Sequence, residues 1–487
     1  MKRIIIAAIL VLGIYQLNAQ EYSISEGATV EMEQQKDSEV RCFTSGGTHY
    51  FITSYFESPG FSYHMNSVAS NGSNFQNKKL QISPGELGDV FTISDVVGLE
   101  NQAYVLVNNQ NSDKKMRTLS ARKLSPDGTI SASEIELMSF GYEKMLRVGR
   151  MITATSPDKK KFVTVGVLPF NKKESRKIQV STFDADMNET SSSTFEVEGL
   201  AIKNARFEAV IANDGTVYIN RFTSKLKEGT KILVHEYNPK STSLENTYLV
   251  EAAEGNQMND YMYATNENGE LIIAAGYRKD TKLIAGDEEQ TGVFIFRNEG
   301  KSNGVIEYNN LDAPIPNFEL TGIHFGAETI YVTIEDTKSA KSSPAQTTPT
   351  TANTTYTFTH GNDYILGFNS SGKKMFELTL DLGMTARNTK HTLYGSAHII
   401  DGALVYIFND QFSKYRNNED IASGGTIPVA ITVDASGDMS RPVPFMNDLK
   451  MTNGFTLLPN YSAVDGNTCT LLARDKDILK VVQITVE

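Results

Sequence analysis

Tryptophan is absent from the chain and cysteine occurs only twice. Two cysteines exclude a disulfide-dense scaffold. The missing indole weakens any reading in which a sugar stacks on a tryptophan platform. A basic excess is missing as well: 46 Lys and Arg stand against 58 Asp and Glu, a net charge of −12. That balance argues against a nucleic-acid protein. Beyond residue 20 no apolar run approaches ~18 residues, so nothing there reads as a transmembrane helix. No stretch keeps a 3.6-residue apolar period either. What remains is ordinary globular composition, 40% apolar and 21% charged, in a chain of 487 residues. Length alone predicts about three domains.

The N-terminus reads as a targeting segment. Lys2 and Arg3 precede an apolar run over residues 4–15, and Leu17-Asn18-Ala19 places a small residue at a cleavage point before Gln20. This pattern predicts a secretory signal peptide over 1–19 and a mature domain over 20–487. No cysteine follows the cleavage point, so it offers no lipid-anchor site. The expected product is exported, to the periplasm or the exterior of a Gram-negative cell, and carries a net charge of −14 once Lys2 and Arg3 are removed.

Short apolar runs alternate with Gly, Asn and Asp turns along the rest of the chain. One run recurs: Tyr50-Phe51-Ile52-Thr53, Tyr104-Val105-Leu106-Val107, Phe162-Val163-Thr164-Val165, Val217-Tyr218-Ile219-Asn220, Leu271-Ile272-Ile273-Ala274, Ile330-Tyr331-Val332-Thr333, Leu404-Val405-Tyr406-Ile407 and Thr470-Leu471-Leu472-Ala473. Successive starts lie 54, 58, 55, 54, 59, 74 and 66 residues apart. A shorter strand precedes each run across a tight turn such as Asn213-Asp214-Gly215 or Asp401-Gly402, where both central residues tolerate positive φ. A third strand follows, as in Val293-Phe294-Ile295-Phe296, and a further turn such as Ser370-Ser371-Gly372 leads to a fourth. Eight such units span the chain. The last unit lacks a fourth strand, and the strand-like residues 21–32 are free to supply it. Two β-sandwiches in series are the alternative, but they would not impose one tandem period throughout.

Four antiparallel strands repeated at this period resemble the blades of secreted β-propeller repeat proteins. The export signal and the Asn/Lys-rich loops are similar to those of uncharacterised exported propellers of Bacteroidetes type. The resemblance implies an all-β fold: a single propeller of eight four-stranded blades closed by the N-terminal strand, with seven blades as the alternative. It is architectural and names no activity. Ser125-Pro126-Asp127-Gly128-Thr129 is similar to the Asp-box of sialidases, but Ile130 replaces the closing aromatic and the pattern occurs once, so it reads as a turn.

The connections between second and third strands are the long ones: 108–116, 168–176, 222–230, 277–291, 335–362 and 408–425. Long loops on a rigid scaffold are where binding sites usually lie. These loops carry cations despite the acidic total: Lys114 and Lys115, then Lys172, Lys173 and Arg176, Lys225 and Lys227, Arg278, Lys279 and Lys282, Lys338 and Lys341, and Lys414 and Arg416. Such a set would draw an anionic glycan, a cell-wall fragment or lipid A phosphate; a cell-wall or envelope protein is the other expected partner. Acidic neighbours including Asp113, Glu174 and Glu419 dilute it, and Lys is also the ordinary solubilising residue of loops. Tyr277, Phe408, Phe412 and Tyr415 are aromatics that either contact a ligand or pack loop against blade. The expected ligand-binding residues are Lys172, Lys173, Arg176, Arg278, Lys279, Lys414, Tyr415 and Arg416. The Ser/Thr/Pro-rich segment 338–359 reads as a flexible loop or a glycosylated stalk-like tip.

Catalytic chemistry is not visible. The seven histidines show no i, i+4 helical pair and no Cys joins them, so no cofactor and no metal are assigned. His324 and His398 fall on the innermost strands of adjacent blades and would approach one another in the channel, where an Asp or Glu beside them would complete a metal site; two ordinary hydrogen-bonded strand histidines are the plainer reading. Asp184-Ala185-Asp186-Met187-Asn188-Glu189 lacks the Gly and the final Glu of a calcium loop and reads as a turn. Cys42 and Cys469 belong to the first and last blades, which closure makes neighbours, so a stapling disulfide and two separate buried thiols both remain open. The reading is an exported propeller that binds a ligand or partner on its long-loop face. The alternative is a polysaccharide-active or other hydrolytic propeller enzyme of the envelope.

Overall fold

The computed structural model describes residues 22–31, 39–57, 60–82, 89–142, 149–169, 176–197, 206–225, 229–279, 289–299, 304–342, 355–387, 393–411, 414, 426–444, 456–475 and 478–486. Among them every long regular element is a β-strand, and the strands form eight sheets of four. The expected signal segment 1–19 lies outside the described residues.

Strand β1 (Tyr22–Glu31) comes first in the chain but belongs to the last blade. Blade 1 takes β2 (Glu39–Ser45), β3 (Thr48–Glu57), β4 (Gly60–Ala69) and β5 (Gln76–Leu80). Blade 2 takes β6 (Asp89–Gly98), β7 (Ala103–Asn111), β8 (Met116–Leu124) and β9 (Ile135–Gly141). Blade 3 takes β10 (Arg150–Thr155), β11 (Lys161–Val167), β12 (Arg176–Asp184) and β13 (Glu189–Val197). Blade 4 takes β14 (Arg206–Ile211), β15 (Val217–Lys225), β16 (Gly229–Asn238) and β17 (Ser243–Glu251). Blade 5 takes β18 (Asn256–Thr265), β19 (Leu271–Lys279), β20 (Gln290–Arg297) and β21 (Val305–Ile315). Blade 6 takes β22 (Phe318–Phe325), β23 (Thr329–Ser342), β24 (Thr355–Asn369) and β25 (Lys374–Arg387). Blade 7 takes β26 (Ser396–Ile400), β27 (Ala403–Gln411), β28 (Thr426–Val433) and the two-residue β29 (Val443–Pro444). Blade 8 takes β30 (Thr456–Asp465), β31 (Thr468–Asp475) and β32 (Ile478–Val486), completed by β1.

The eight-bladed, all-β propeller is therefore the fold. Closure follows the sequence expectation: β1 pairs antiparallel with β32, from Tyr22 opposite Val486 to Glu31 opposite Ile478. This joins the two ends of the chain in one sheet and covers an edge that an open array would expose.

The burial pattern explains why one strand per unit dominates the sequence. Each blade is held between two others, so its second and third strands are covered on both faces and read as continuous apolar runs. Strand β7 begins with five consecutive buried residues and β27 carries seven. The outermost strands face solvent and alternate instead: β13, ETSSSTFEV, is mostly exposed at every other position. Eight apolar clusters fill the eight interfaces between neighbouring blades. The cluster between blades 2 and 3 joins Tyr104, Leu106 and Leu119 to Phe162 and Phe183. The one across the closing seam joins Phe51 and Val68 to Leu472 and Val481. Burying one such side chain stabilises by ~1.5–3 kcal/mol, and the residues come from both blades of each pair. The stability of a blade thus depends on its neighbours.

Blade 6 departs from the sequence expectation. The segment 338–359 is not a loop throughout, since β23 continues to Ser342 and β24 begins at Thr355. Threonine and tyrosine favour the extended ladder despite the polar composition, and β25 pairs alongside as far as Arg387 opposite Thr357. Only 343–354 lie outside the described residues. Blade 7 is truncated for the opposite reason: prolines 442 and 444 remove two ladder donors, and prolines are tolerated only at a sheet edge.

Candidate functional site

The two ends of the ring differ in what their connections do. At one end the turns joining first to second and third to fourth strands are short. The third-to-fourth turns also bond to the preceding blade. Ser67 Oγ of blade 1 donates to the Pro126 carbonyl in the blade 2 turn at 2.5 Å. Ser193 Oγ of blade 3 donates to the Thr242 carbonyl in blade 4 at 3.3 Å. Asn309 Nδ2 of blade 5 reaches the Gly372 carbonyl in blade 6 at 2.9 Å. Across the closing seam, Gln483 Nε2 of blade 8 reaches the Ser70 carbonyl in blade 1 at 2.7 Å. The turns are further organised from within. Asp184 Oδ1 accepts the backbone N–H of Asp186 and of Asn188, each at 2.9 Å, which makes this segment a strand-connecting turn, as its spacing predicts. Burial opposes ionisation of Asp184, but the Asn188 side chain and these two backbone hydrogen bonds hold its carboxyl below the usual range.

The opposite end carries the second-to-third connections, the links between blades and the projecting strands of blade 6. Several stretches expected there as loops are ladder instead: β15 reaches Lys225, β16 starts at Gly229, and residues 335–362 are mostly β23 and β24. The candidate cations divide accordingly. Lys279 is exposed at the end of β19, Arg278 beside it is half-buried, and Lys338 is exposed on β23. Lys414 is exposed and held locally, 3.0 Å from Asp410 Oδ1 and donating to the Asp381 carbonyl. Arg176 opens β12. Lys172, Lys173, Tyr415 and Arg416 lie outside the described residues, as does Phe412. Tyr277 and Phe408 are buried, in the cores between blades 4 and 5 and between blades 6 and 7, so their role is packing.

The first strands of the blades converge around the axis. Those of blades 1, 2 and 3 border a cavity of about 440 Å³, lined by Arg41, Asp95, Thr153 and Lys159 among others. Its charges are mutually engaged: Arg41 pairs with Asp95, and Lys159 Nζ donates to the Thr44 carbonyl at 2.8 Å. His49 hydrogen-bonds the Thr44 hydroxyl through Nδ1 at 2.8 Å. Burial, with Lys159 adding to it, pushes its pKa down to about 4 against the pull of Asp465.

His324 on β22 and His398 on β26 occupy first strands of adjacent blades, as expected. They are close enough for His324 to depress the His398 pKa, although burial is the larger cause, and both fall to about 4. His398 Nε2 lies 2.7 Å from Ser396 Oγ and 3.0 Å from Ser462 Oγ, which bridges blade 7 to blade 8. A hydroxyl pair, not a carboxylate, meets this ring.

The cysteines do not pair. Both are free thiols. Cys42 packs into the core between blades 8 and 1, and its Sγ donates to the Asn460 carbonyl at 3.2 Å. Cys469 packs into the core between blades 7 and 8, on the other face of the blade 8 sheet. Burial pushes the Cys42 thiol up to about 12 and Cys469 higher still.

Among the described residues, one group of metal-ligating side chains converges that sequence spacing does not reveal. Glu335 on β23 and His360 and Asp363 on β24 are all buried, and each offers a ligand atom within 4.8 Å of the others. Glu335 stands directly opposite Asp363 in the ladder. His360 is three residues from Asp363, and in a regular strand these positions would point to opposite faces. The ladder is bulged here, with Thr337 opposite His360, so the one intervening residue of β23, Asp336, stands against two of β24, Gly361 and Asn362. The extra residue returns His360 to the same side as Asp363. Gly361 sits in the bulge, where a Cβ would stand 2.7 Å from Asp336 Oδ2. His360 Nε2 lies 2.5 Å from Asp363 Oδ1, and the Tyr406 hydroxyl of blade 7 donates to Asp363 Oδ2 at 2.7 Å. The Gly395 N–H, in the link between blades 6 and 7, donates to Glu335 Oε1 at 3.2 Å. Burial first, then the nearby Asp363 and Glu335, raise the Tyr406 pKa well above its ordinary value, which keeps the phenol a donor.

No protein-family model matches the chain, and no curated protein does. Solved structures similar to it include the WD40 domain of SCAP from fission yeast, at 9% identity over 96% of this chain and 98% of that one, with a TM-score of 0.40. A protein of unknown function from Dyadobacter fermentans is similar at 7% identity over 95% and 99% of the two chains, TM-score 0.34. A protein of unknown function from Bacteroides caccae is similar at 13% identity over 65% and 89%, TM-score 0.30.

Proposed function

We propose that this propeller is an exported binding scaffold that presents its long-connection face to an anionic glycan or an acidic envelope partner. The observation that carries the reading is the division of labour between the two ends of the ring. Third-to-fourth turns of the tight end are consumed in hydrogen bonds to neighbouring blades, as Ser67, Ser193, Asn309 and Gln483 illustrate. A turn so engaged cannot vary or rearrange to meet a ligand without loosening the ring. The other end carries the second-to-third connections and the elongated strands of blade 6, with Lys279 and Lys414 exposed and Arg278 half-buried among the described residues; the sequence adds Lys172, Lys173, Arg176 and Arg416 in the connections expected there. The apolar segment over residues 4–15, with Lys2 and Arg3 before it, supports export.

Binding of the mature chain to polygalacturonate, followed by calorimetry at 50 and 300 mM NaCl, tests this reading. The affinity is expected to fall steeply with salt, because exposed charges are screened beyond a Debye length of about 10 Å at 0.1 M. A Lys172→Glu/Lys173→Glu/Lys279→Glu variant is expected to lose at least tenfold. Lys240→Glu, an exposed position in the tight-end turn of blade 4, is expected to change nothing. Absence of binding, indifference to salt, or an equal loss in Lys240→Glu would overturn the proposal.

A further inference from the structure

We infer that Glu335, His360 and Asp363 form a divalent-metal site that fastens blade 6 to blade 7, and that zinc is the cation it takes. The inference begins with a cost. Like charges directly opposite in a ladder repel. Glu335 and Asp363 are directly opposite, at 1% exposure each, in the interior of the ring. A cation between them relieves that repulsion.

The third group makes the site a metal site and not merely an acidic pair. His360 is fully buried, and its Nε2 already lies against Asp363 Oδ1, so an imidazole nitrogen and two carboxylates converge within 4.8 Å. The other ring nitrogen, Nδ1, is buried with no hydrogen-bond partner among the described residues.

The surroundings resemble the outer partners that orient metal ligands. Tyr406 fixes Asp363 through Oδ2 and the Gly395 N–H fixes Glu335 through Oε1. Both donors come from beyond blade 6, so a cation held here would couple the two blades. The bulge at Gly361 is the backbone device that brings His360 round to the cluster.

The donor set selects the metal. One imidazole and two carboxylates suit zinc and other first-row divalent ions; calcium prefers six to eight oxygens, and copper(I) prefers sulfur. Among manganese, iron and zinc, the stability order favours zinc.

The mature chain, stripped with chelator and dialysed, is the material for the test. Zinc is titrated by calorimetry, stoichiometry is read by elemental analysis, and melting is followed with and without zinc. One equivalent per chain and a higher melting temperature are expected. His360→Gln and Asp363→Asn are expected to lose the stoichiometric zinc and its thermal effect. Tyr406→Phe is expected to weaken zinc 10–100-fold while keeping one equivalent, as loss of an outer partner does. His235→Asn, a buried histidine in blade 4, is expected to bind as the parent does. Should a ligand variant fail to fold, Glu335→Gln, isosteric and uncharged, serves in its place with circular dichroism as the check. Less than a tenth of an equivalent on the parent chain overturns the assignment. So does zinc binding that survives in the folded ligand variants.

Discussion

Acidification from pH 7 to pH 5 should destabilise this propeller through histidines that have nothing to do with binding. His49, His235, His324 and His398 are each pushed down to about 4, with burial as the main cause. For His235 the Arg221 guanidinium adds to that burial. The unfolded chain titrates these groups near 6.5. Between pH 6.5 and 4 the unfolded state therefore holds more protons than the folded one. Stability is full above pH 6.5 and is lost as the pH falls toward 4. At pH 5 the loss for one such histidine is ~2 kcal/mol. An unfolding entropy of ~2.1 cal/mol/K per residue, over ~470 residues, gives ~1 kcal/mol per degree. Each histidine should then lower the melting temperature by ~2 °C at pH 5, and the four together by ~8 °C. His235→Asn isolates one contribution. The amide can still reach the Thr247 hydroxyl, which His235 Nδ1 meets at 3.1 Å, and it cannot take a proton. Differential scanning calorimetry at pH 7 and pH 5 should show the variant dropping ~2 °C less than its parent. Carboxylates titrate identically in both proteins and cancel in that difference. An unchanged drop in the variant would refute the reasoning for His235, and a parent that melts alike at both pH values would refute it for all four.

Two further outcomes test the ring itself. Gly437 has φ +90° in the third-to-fourth turn of blade 7, and a Cβ there would lie 2.5 Å from the Phe376 ring of blade 6. Gly437→Ala should cost ~2–4 kcal/mol, combining left-handed strain with overpacking; a melting temperature equal to the parent's would contradict the tight packing of turn on blade. Deleting residues 22–31 should expose β32 along Ile478–Val486 and make the chain self-associate more than its parent. A monomeric, fully folded truncation seen by light scattering would show that closure by the N-terminal strand is dispensable.

The ring could be read from the sequence because its logic is local and repeated. Middle strands buried on both faces yield apolar runs such as Leu404-Val405-Tyr406-Ile407, and turns rich in Gly, Asp, Asn and Ser punctuate them, with Asp-Gly or Asn-Gly in most blades. The approach of His324 to His398 was readable for a related reason, since first strands converge on one axis whatever their side chains. The cluster at Glu335 was not, and the reason is geometric. An imidazole and a carboxylate three apart on a strand belong to opposite faces, so His360 and Asp363 carry no ligand signature in a regular ladder. Their meeting depends on one extra residue at Gly361, and bulges leave only weak sequence marks. The polar strand ends of blade 6 were misread for a different reason, because Ser/Thr composition predicts disorder only where no neighbouring strand offers a ladder. Here β25 does, to Arg387. The blade with the longest described strands is thus also the one whose bulge brings Glu335, His360 and Asp363 together. That coincidence places the cluster at the base of those elongated strands. A cation fastening Glu335, His360 and Asp363 would then hold that base rigid against blade 7 through Tyr406, which links the metal inference to the face proposed for binding.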